Sequence, residues 1–176
     1  TGAIVSGPFG RNAGRNALRD VAITDDNSIL VAEDTQISKY NISGQYVGYL
    51  GCKRNGASFS SNLNFLSDTQ SVSSTQNICL NLPQSVHQEG SFIFVSDYGN
   101  NLLKIFDLDG NFLNSLDVAR PKDIEVVDDH LFVVSNRPGT GEKEADVLFV
   151  YSFVNGDSSS FQNLGNFVLN STGSLN

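Results

Sequence analysis

The chain has 176 residues, 39% of them apolar, a length and composition that allow one compact domain with a hydrophobic core. Its 11 basic and 19 acidic side chains give a formal charge of −8, and such a surface repels phosphate backbones, which excludes nucleic acid as a partner. The longest apolar runs have the length of single strands, far below the about 20 residues of a membrane-spanning helix, so no membrane insertion is expected.

The first element in chain order is a repeat at residues 18–51, which contains four short apolar stretches separated by polar turns. This pattern is typical of a four-stranded antiparallel sheet. The first turn contains the acid pair Asp25 and Asp26, which in an enzyme could act as a carboxylate dyad. Aspartates in tight turns usually hydrogen-bond their own backbone, so the turn interpretation is favoured.

An inserted loop at residues 52–81 follows and is rich in Ser and Asn. Cys52 and Cys79, the two cysteines of the chain, flank it, and their positions predict a disulfide that closes the loop. Two unrelated free thiols are the alternative. A disulfide needs an oxidising compartment, and abundant Asn, Ser and Gly beside scarce Lys and Glu favour the same setting. The sequence therefore predicts a secreted protein, extracellular or periplasmic.

The second repeat, at residues 82–117, has the clearest strands. Four are predicted, at residues 85–87, 92–96, 102–106 and 112–116. The second of them contains four consecutive apolar residues instead of an alternating pattern, which predicts a strand covered on both faces.

A turn at residues 107–111 joins the last two of these strands. Asp109-Gly110 predicts a tight hairpin, because Gly tolerates the positive φ of primed turns. The alternating acids of this turn also have the spacing of a calcium loop. The downstream Glu of such a loop is missing, so the hairpin is favoured.

The third repeat, at residues 120–167, contains a polar insertion at residues 138–146, and Asn136 stands where the second repeat has Asp97. Four-stranded units of about 40 residues, arranged radially, are the blades of a β-propeller. One such sheet cannot bury both of its faces alone, so neighbouring repeats are expected to stack.

A family resemblance lies in the second repeat. Residues 83–113 include the run Phe-Val-Ser-Asp-Tyr-Gly-Asn-Asn-Leu-Leu-Lys-Ile-Phe-Asp-Leu-Asp-Gly-Asn-Phe-Leu, which resembles the NHL repeat. The first repeat lacks the Asn-Asn pair and has Tyr40 in place of Phe106, and the third departs further. The resemblance implies an all-β fold, with residues 1–176 as one β-propeller region.

An NHL-like propeller generally has six blades, whereas this chain supplies about three, with partial strands at residues 1–10 and 167–176. Open blade faces and unpaired strand edges are aggregation hazards unless something covers them. The missing blades are therefore expected from self-association, from another protein, or from a longer parent chain. The start at Thr1 and the absence of Met indicate a processed product or part of such a longer chain.

Candidate ligand-binding residues lie on the first strand of each repeat, which lines the central channel of a propeller. His87 and Glu125 each lie four residues after the proline that opens their repeat, and Ala22 is the matching residue of the first repeat. A His and a carboxylate that converge on a channel could bind a metal or polarise a ligand. The alternative is a hydrated channel that tolerates polar groups. Asp123 and Arg137 are placed at the same mouth.

The predicted function is a binding scaffold whose loops at residues 53–78 and 138–146 recognise a protein or ligand. No nucleophile motif, no Cys/His cluster and no cofactor motif occurs, so no cofactor or bound metal is predicted. The NHL resemblance keeps open a lyase or a lactonase-like hydrolase with a channel metal. A third alternative is a structural subunit of a larger assembly.

Overall fold

The computed structural model describes residues 18–51, 54–55, 58–59, 79–137 and 145–169. This part of the chain contains three four-stranded antiparallel sheets that follow one another in sequence. Its one helical element is a 3₁₀ turn at Tyr98–Asn100, and no helix of the described residues is long and apolar enough to cross a membrane. The predictions of an all-β chain and of three four-stranded antiparallel sheets are confirmed.

Each sheet is a simple meander in which every strand pairs with its neighbours in sequence. Sheet 1 consists of β1 Asp20–Ile23, β2 Ile29–Ala32, β3 Gln36–Tyr40 and β4 Tyr46–Gly51. A two-stranded piece follows, β5 Arg54–Asn55 and β6 Ser58–Phe59. Sheet 2 consists of β7 Pro83–Glu89, β8 Phe92–Asp97, β9 Leu102–Phe106 and β10 Phe112–Asp117. Sheet 3 consists of β11 Pro121–Val127, β12 His130–Arg137, β13 Ala145–Val154 and β14 Asp157–Leu169.

The three sheets stack face to face, with sheet 2 in the middle. One apolar cluster joins sheets 1 and 2, and a second cluster joins sheets 2 and 3. All six residues of β8 are buried, because Ile93 and Val95 pack toward sheet 1 while Phe92 and Phe94 pack toward sheet 3. This explains the unbroken apolar run in the sequence. Stacking of whole sheets is consistent with propeller blades, and a closed ring stays a prediction.

Four aromatic rings form the centre of the contact between sheets 2 and 3. Phe92 and Phe94 contact Phe153 and Phe161 with ring centroids 5.7 to 6.1 Å apart, mostly edge to face. Each fully buried Phe contributes about 1.5–3 kcal/mol through the apolar area it removes from water. The apolar faces thus supply the main attraction between sheets. Hydrogen bonds between polar groups of neighbouring sheets help to align them.

The hairpins between third and fourth strands are closed by their own side chains. Asp107 Oδ1 accepts hydrogen bonds from the N–H groups of Asp109 and Asn111, at 3.0 and 2.8 Å. In sheet 1, Asn41 Oδ1 accepts from the N–H groups of Ser43 and Gln45, at 3.0 and 2.9 Å. The acids of the calcium-like spacing therefore stabilise a turn, as the hairpin interpretation requires.

The turn between β1 and β2 holds an aspartate with a shifted pKa. Asp26 accepts hydrogen bonds from the Thr24 hydroxyl and from the Ser28 N–H, and Lys39 Nζ lies 3.3 Å from its Oδ2. The Thr24 hydrogen bond is the largest of the influences that lower the pKa of Asp26 from 3.8 to about 2, and partial burial opposes them. The Asp26 carboxylate thus stabilises the turn between β1 and β2.

We expect Asp26 to make stability depend on pH in acid. Because folding lowers its pKa, the carboxylate contributes stability above pH 3.8, and this contribution is lost as the pH falls toward about 2. Urea unfolding of wild type and Thr24→Val between these pH values measures the effect. The variant should lose less stability over the interval than wild type. Parallel curves for the two proteins would contradict the role of the Thr24 hydroxyl.

Gly90, in the turn between β7 and β8, lies against sheet 3. Its φ is +54°, and a Cβ on this residue would overlap the side-chain amide of Asn155. Asn155 Oδ1 accepts a hydrogen bond of 2.9 Å from the Ser91 N–H, which links the hairpins of sheets 2 and 3. Gly90 therefore permits both the turn and the contact between sheets.

We expect Gly90→Ala to destabilise the protein more than Gly156→Ala. Both substitutions put a side chain at positive φ, which costs about 1–2 kcal/mol, but no atom lies within 4 Å of a Cβ on Gly156. Gly90→Ala also displaces Asn155 and loses the Ser91 hydrogen bond, which adds about 1 kcal/mol. Urea unfolding checks the difference. Equal losses in the two variants would show that the Asn155 contact contributes nothing.

Candidate functional site

The stack of sheets has two different ends. The first strands β1, β7 and β11 run in the same direction. Asp20 at the start of β1 contacts Ser85 in β7, and Asp25 after β1 contacts Gln88 further along β7. Between sheets 2 and 3, Arg120 before β11 bonds Asn101 at one end, and the hairpin residues Ser91 and Asn155 bond at the other. We call the end at which these strands begin the loop end and the opposite one the hairpin end. The hairpin end carries the tight turns between first and second strands and between third and fourth strands.

Both insertions found in the sequence depart from the loop end. The larger lies between β4 and β7, and the other joins β12 to β13. Residues 52–53, 56–57, 60–78 and 138–144 lie outside the described residues, but their attachment points are defined. A Cβ on Gly51 would lie 3.4 Å from Leu80 Cδ1, and Arg137 pairs with Ala145 across β12 and β13. In both cases the chain returns beside the point from which it departs.

A group of polar side chains, which we call the polar clamp, holds the returning segment of the larger insertion. It consists of Asp97, Asn100 and Lys104. Lys104 Nζ lies 2.8 Å from Asp97 Oδ2 and donates a 2.6 Å hydrogen bond to the carbonyl oxygen of Cys79. Asn100 donates to the same two acceptors, at 2.7 and 3.0 Å. The remaining oxygen, Asp97 Oδ1, accepts the Asn81 N–H at 2.7 Å.

The polar clamp gives a physical role to the residues of the NHL-like motif. Asp97 and Lys104 have exposed side-chain fractions of 0% and 1%, and such charges are tolerated in a core only when paired and hydrogen-bonded. Here they meet each other and the backbone of residues 79–81. The motif therefore fixes the chain where it enters sheet 2.

Sheets 1 and 3 have other hydrogen-bonded polar residues at the positions equivalent to Asp97. In sheet 1, buried Glu33 accepts a 2.7 Å hydrogen bond from the Ser38 hydroxyl. In sheet 3, Ser135 pairs with Pro121 as Asp97 pairs with Pro83, and its hydroxyl donates to the carbonyl of Ala119. The residue of sheet 3 that corresponds to Asp97 is therefore Ser135, and the prediction of Asn136 is wrong by one residue. That prediction aligned Ser-Asn of the third repeat with Ser-Asp of the second. The pairing of the strands, not this similarity, decides which residues are equivalent.

Two carboxylates and a hydroxyl meet at the loop end of the first strands, and we call them the first-strand cluster. Ser85 Oγ lies 2.7 Å from Asp20 Oδ2 and 3.4 Å from Asp123 Oδ1. Asp20 Oδ2 also accepts the N–H of Val86 in the next sheet, at 2.9 Å. Asp123 Oδ1 accepts the N–H of Ile124 in its own strand, at 3.0 Å. The cluster thus aligns three sheets at one end.

His87 and Glu125 have the equivalent positions that the sequence predicts. They are cross-strand partners of Phe94 and Phe132, and Ala22 is correspondingly opposite Leu30. His87 is half-buried, and its Nε2 is buried with no hydrogen-bond partner among the described residues. Glu125 is exposed, and no hydrogen bond or ion pair links these two described side chains. A shared ligand site for His87 and Glu125 stays a prediction.

The other predicted site residues divide between described and undescribed parts. Asp123 belongs to the first-strand cluster. Arg137 ends β12 at the loop end, and its side chain lies outside the described part. Cys79 lies among the described residues, but Cys52 lies outside them. The Cys52–Cys79 pairing therefore stays a prediction.

Sequence reasoning missed Asp20, Ser85, Asp97 and Lys104 as members of a site. Asp97 and Lys104 lie within the motif that carried the resemblance, but the motif does not show that they meet the backbone at Cys79. Asp20 and Asp123 occupy equivalent positions, two residues before Ala22 and Glu125. An alignment of the repeats would therefore have shown an aspartate at the same place in two of them. Among the described residues no group of three or more His, Cys, Asp and Glu side chains is placed to hold a metal ion.

The loop end therefore combines three features: the attachment points of two insertions, the polar clamp and the first-strand cluster. Polar groups there can accept and donate hydrogen bonds, and the stacked sheets hold them in fixed positions. Comparison with protein-family models and with curated proteins finds no match to this chain.

Proposed function

We propose that this chain is an NHL-like β-propeller region that acts as a binding scaffold in an extracellular or periplasmic setting, and that it binds its protein or ligand at the loop end. One observation carries the proposal: both insertions are attached at the same end of a rigid stack. Loops on a rigid scaffold are common binding elements, because the scaffold limits the entropy lost on binding.

The first-strand cluster and the polar clamp support the same location. The exposed carboxylate of Asp123 lies at the loop end, close to the attachment points of the insertions. The clamp fixes the larger insertion at Cys79 through hydrogen bonds from Lys104 and Asn100. A partner that contacts the insertion would therefore meet a surface whose base is already ordered. The composition supports the oxidising setting.

The test compares capture of biotinylated proteins from the extracellular or periplasmic fraction of the source cells. Three immobilised proteins are used: wild type, a loop variant in which residues 53–78 are replaced by a short Gly-Ser linker, and Leu108→Asp as a hairpin-end control. We expect the loop variant to remain folded and to lose at least about tenfold in capture of the main bound species. Leu108→Asp should match wild type. Equal capture by the loop variant, or equal loss in the control, would refute a loop-end site.

One observation favours an enzyme as the second candidate. His87 Nε2 is a buried nitrogen with no hydrogen-bond partner in the described part of the chain, and a neutral imidazole nitrogen is the commonest metal ligand in proteins. A lyase or lactonase-like hydrolase of the kind that the NHL resemblance implies would use such a ligand. Metal analysis of gently purified wild type and His87→Ala tests this alternative. Stoichiometric metal that is lost in the variant would support it, and equal metal content would count against it.

A further inference from the structure

Each sheet of the stack uses its two faces differently. We call the face directed at the next sheet in the chain the leading face and the opposite one the trailing face. The leading faces of sheets 1 and 2 include Leu30 and Phe94, which hold equivalent register positions. The trailing faces of sheets 2 and 3 include the equivalent residues Val86 and Ile124. The chain therefore repeats one contact, leading face on trailing face, at both junctions.

Two equivalent faces lie against no other sheet of the described residues, namely the trailing face of sheet 1 and the leading face of sheet 3. On the trailing face of sheet 1, Val21 stands at the position of Val86 and Ile124, and it is 62% exposed where Val86 is 3% exposed. On the leading face of sheet 3, Phe132 stands at the position of buried Phe94 and is only half-buried. Phe167 lies on the same face, opposite Leu148, and is 56% exposed.

These two faces are apolar and differ in shape. The trailing face of sheet 1 contains an open groove of about 610 Å³, lined by Leu18, Arg19, Asp20, Val21, Ile29 and Val31. Arg19 already pairs with Asp34 at 3.1 Å and donates to Gln84 of sheet 2, so the groove offers an apolar surface and no free charge. The leading face of sheet 3 offers large apolar side chains that can enter such a groove.

We propose that the leading face of sheet 3 stacks on the trailing face of sheet 1 of a second copy of this chain, head to tail. The contact continues the one already present at both junctions within the chain. Phe132 and Phe167 would be covered by the second copy, and Val21 of that copy would be covered in turn. Such heterologous contacts either close into a ring or extend into a filament. The inference is independent of binding at the loop end.

The test uses exposed residues, so that substitutions leave the fold intact. Val21→Asp alters only the trailing face of sheet 1, Phe167→Asp alters only the leading face of sheet 3, and Ile42→Asp is a control on an exposed turn of the hairpin end. Light scattering should give wild type and Ile42→Asp a mass of at least twice 19.0 kDa. Each of the two face variants alone should be monomeric, because every head-to-tail contact then includes one altered face.

Mixing the two face variants is the decisive step. The intact leading face of Val21→Asp and the intact trailing face of Phe167→Asp can still form one contact, so the mixture should give a dimer that extends no further. Circular dichroism confirms that each variant is folded. A monomeric wild type would overturn the proposal, as would association that survives both substitutions or a mixture that stays monomeric.

Discussion

Replacement of Lys104 by alanine is expected to lower the free energy of unfolding by about 3–5 kcal/mol. Lys104 is almost completely buried and lies 2.8 Å from Asp97, so its removal leaves an unpaired buried carboxylate. It also removes a donor from the carbonyl oxygen of Cys79, which Asn100 then serves alone. Urea unfolding followed by far-UV circular dichroism measures the loss.

The chain offers a matched control for this prediction. Lys122 and Asp146 form an ion pair at 3.9 Å with both side chains more than 40% exposed, and such surface pairs contribute about 0–1 kcal/mol. Lys122→Ala should therefore cost little. The double variant Asp97→Ala/Lys104→Ala should lose less than the sum of its two single variants, since no unpaired charge remains. Similar losses for Lys104→Ala and Lys122→Ala would contradict a structural role for the clamp.

The polar clamp also shows how far the sequence could predict the structure. The four strands of sheet 2 were predictable because their apolar runs, and the Gly of the hairpin at Asp109-Gly110, follow local rules. The burial of Lys104 was not predictable in this way, because a lysine in a strand is usually solvated. The segment at residues 79–81 covers Lys104. The contact between this segment and Lys104 depends on the stacking of sheets 1 and 2.

The first-strand cluster was partly within reach of the sequence. The strand pattern predicts Asp123 and Arg137 at one mouth of the channel. In the structure Asp123 lies near the start of β11 and Arg137 ends β12, both at the loop end, while the channel itself stays a prediction. Ser85 was not identified, because a serine in a strand carries no signal of its own. Its hydroxyl becomes informative only when neighbouring first strands bring two carboxylates within reach of it. Contacts between repeats, unlike strands within them, require the relative placement of sheets.

The relative placement of the sheets also explains why they hold together, and substitution of Leu103 tests this explanation. Leu103 precedes Lys104 in β9 but faces sheet 3, where it is 0% exposed in the second apolar cluster. Leu103→Ala should cost about 2–5 kcal/mol, from lost burial and the cavity left behind. Leu108→Ala removes the same atoms from a side chain that is 45% exposed and should cost much less. Urea unfolding decides: comparable losses would mean that sheets 2 and 3 do not depend on this contact.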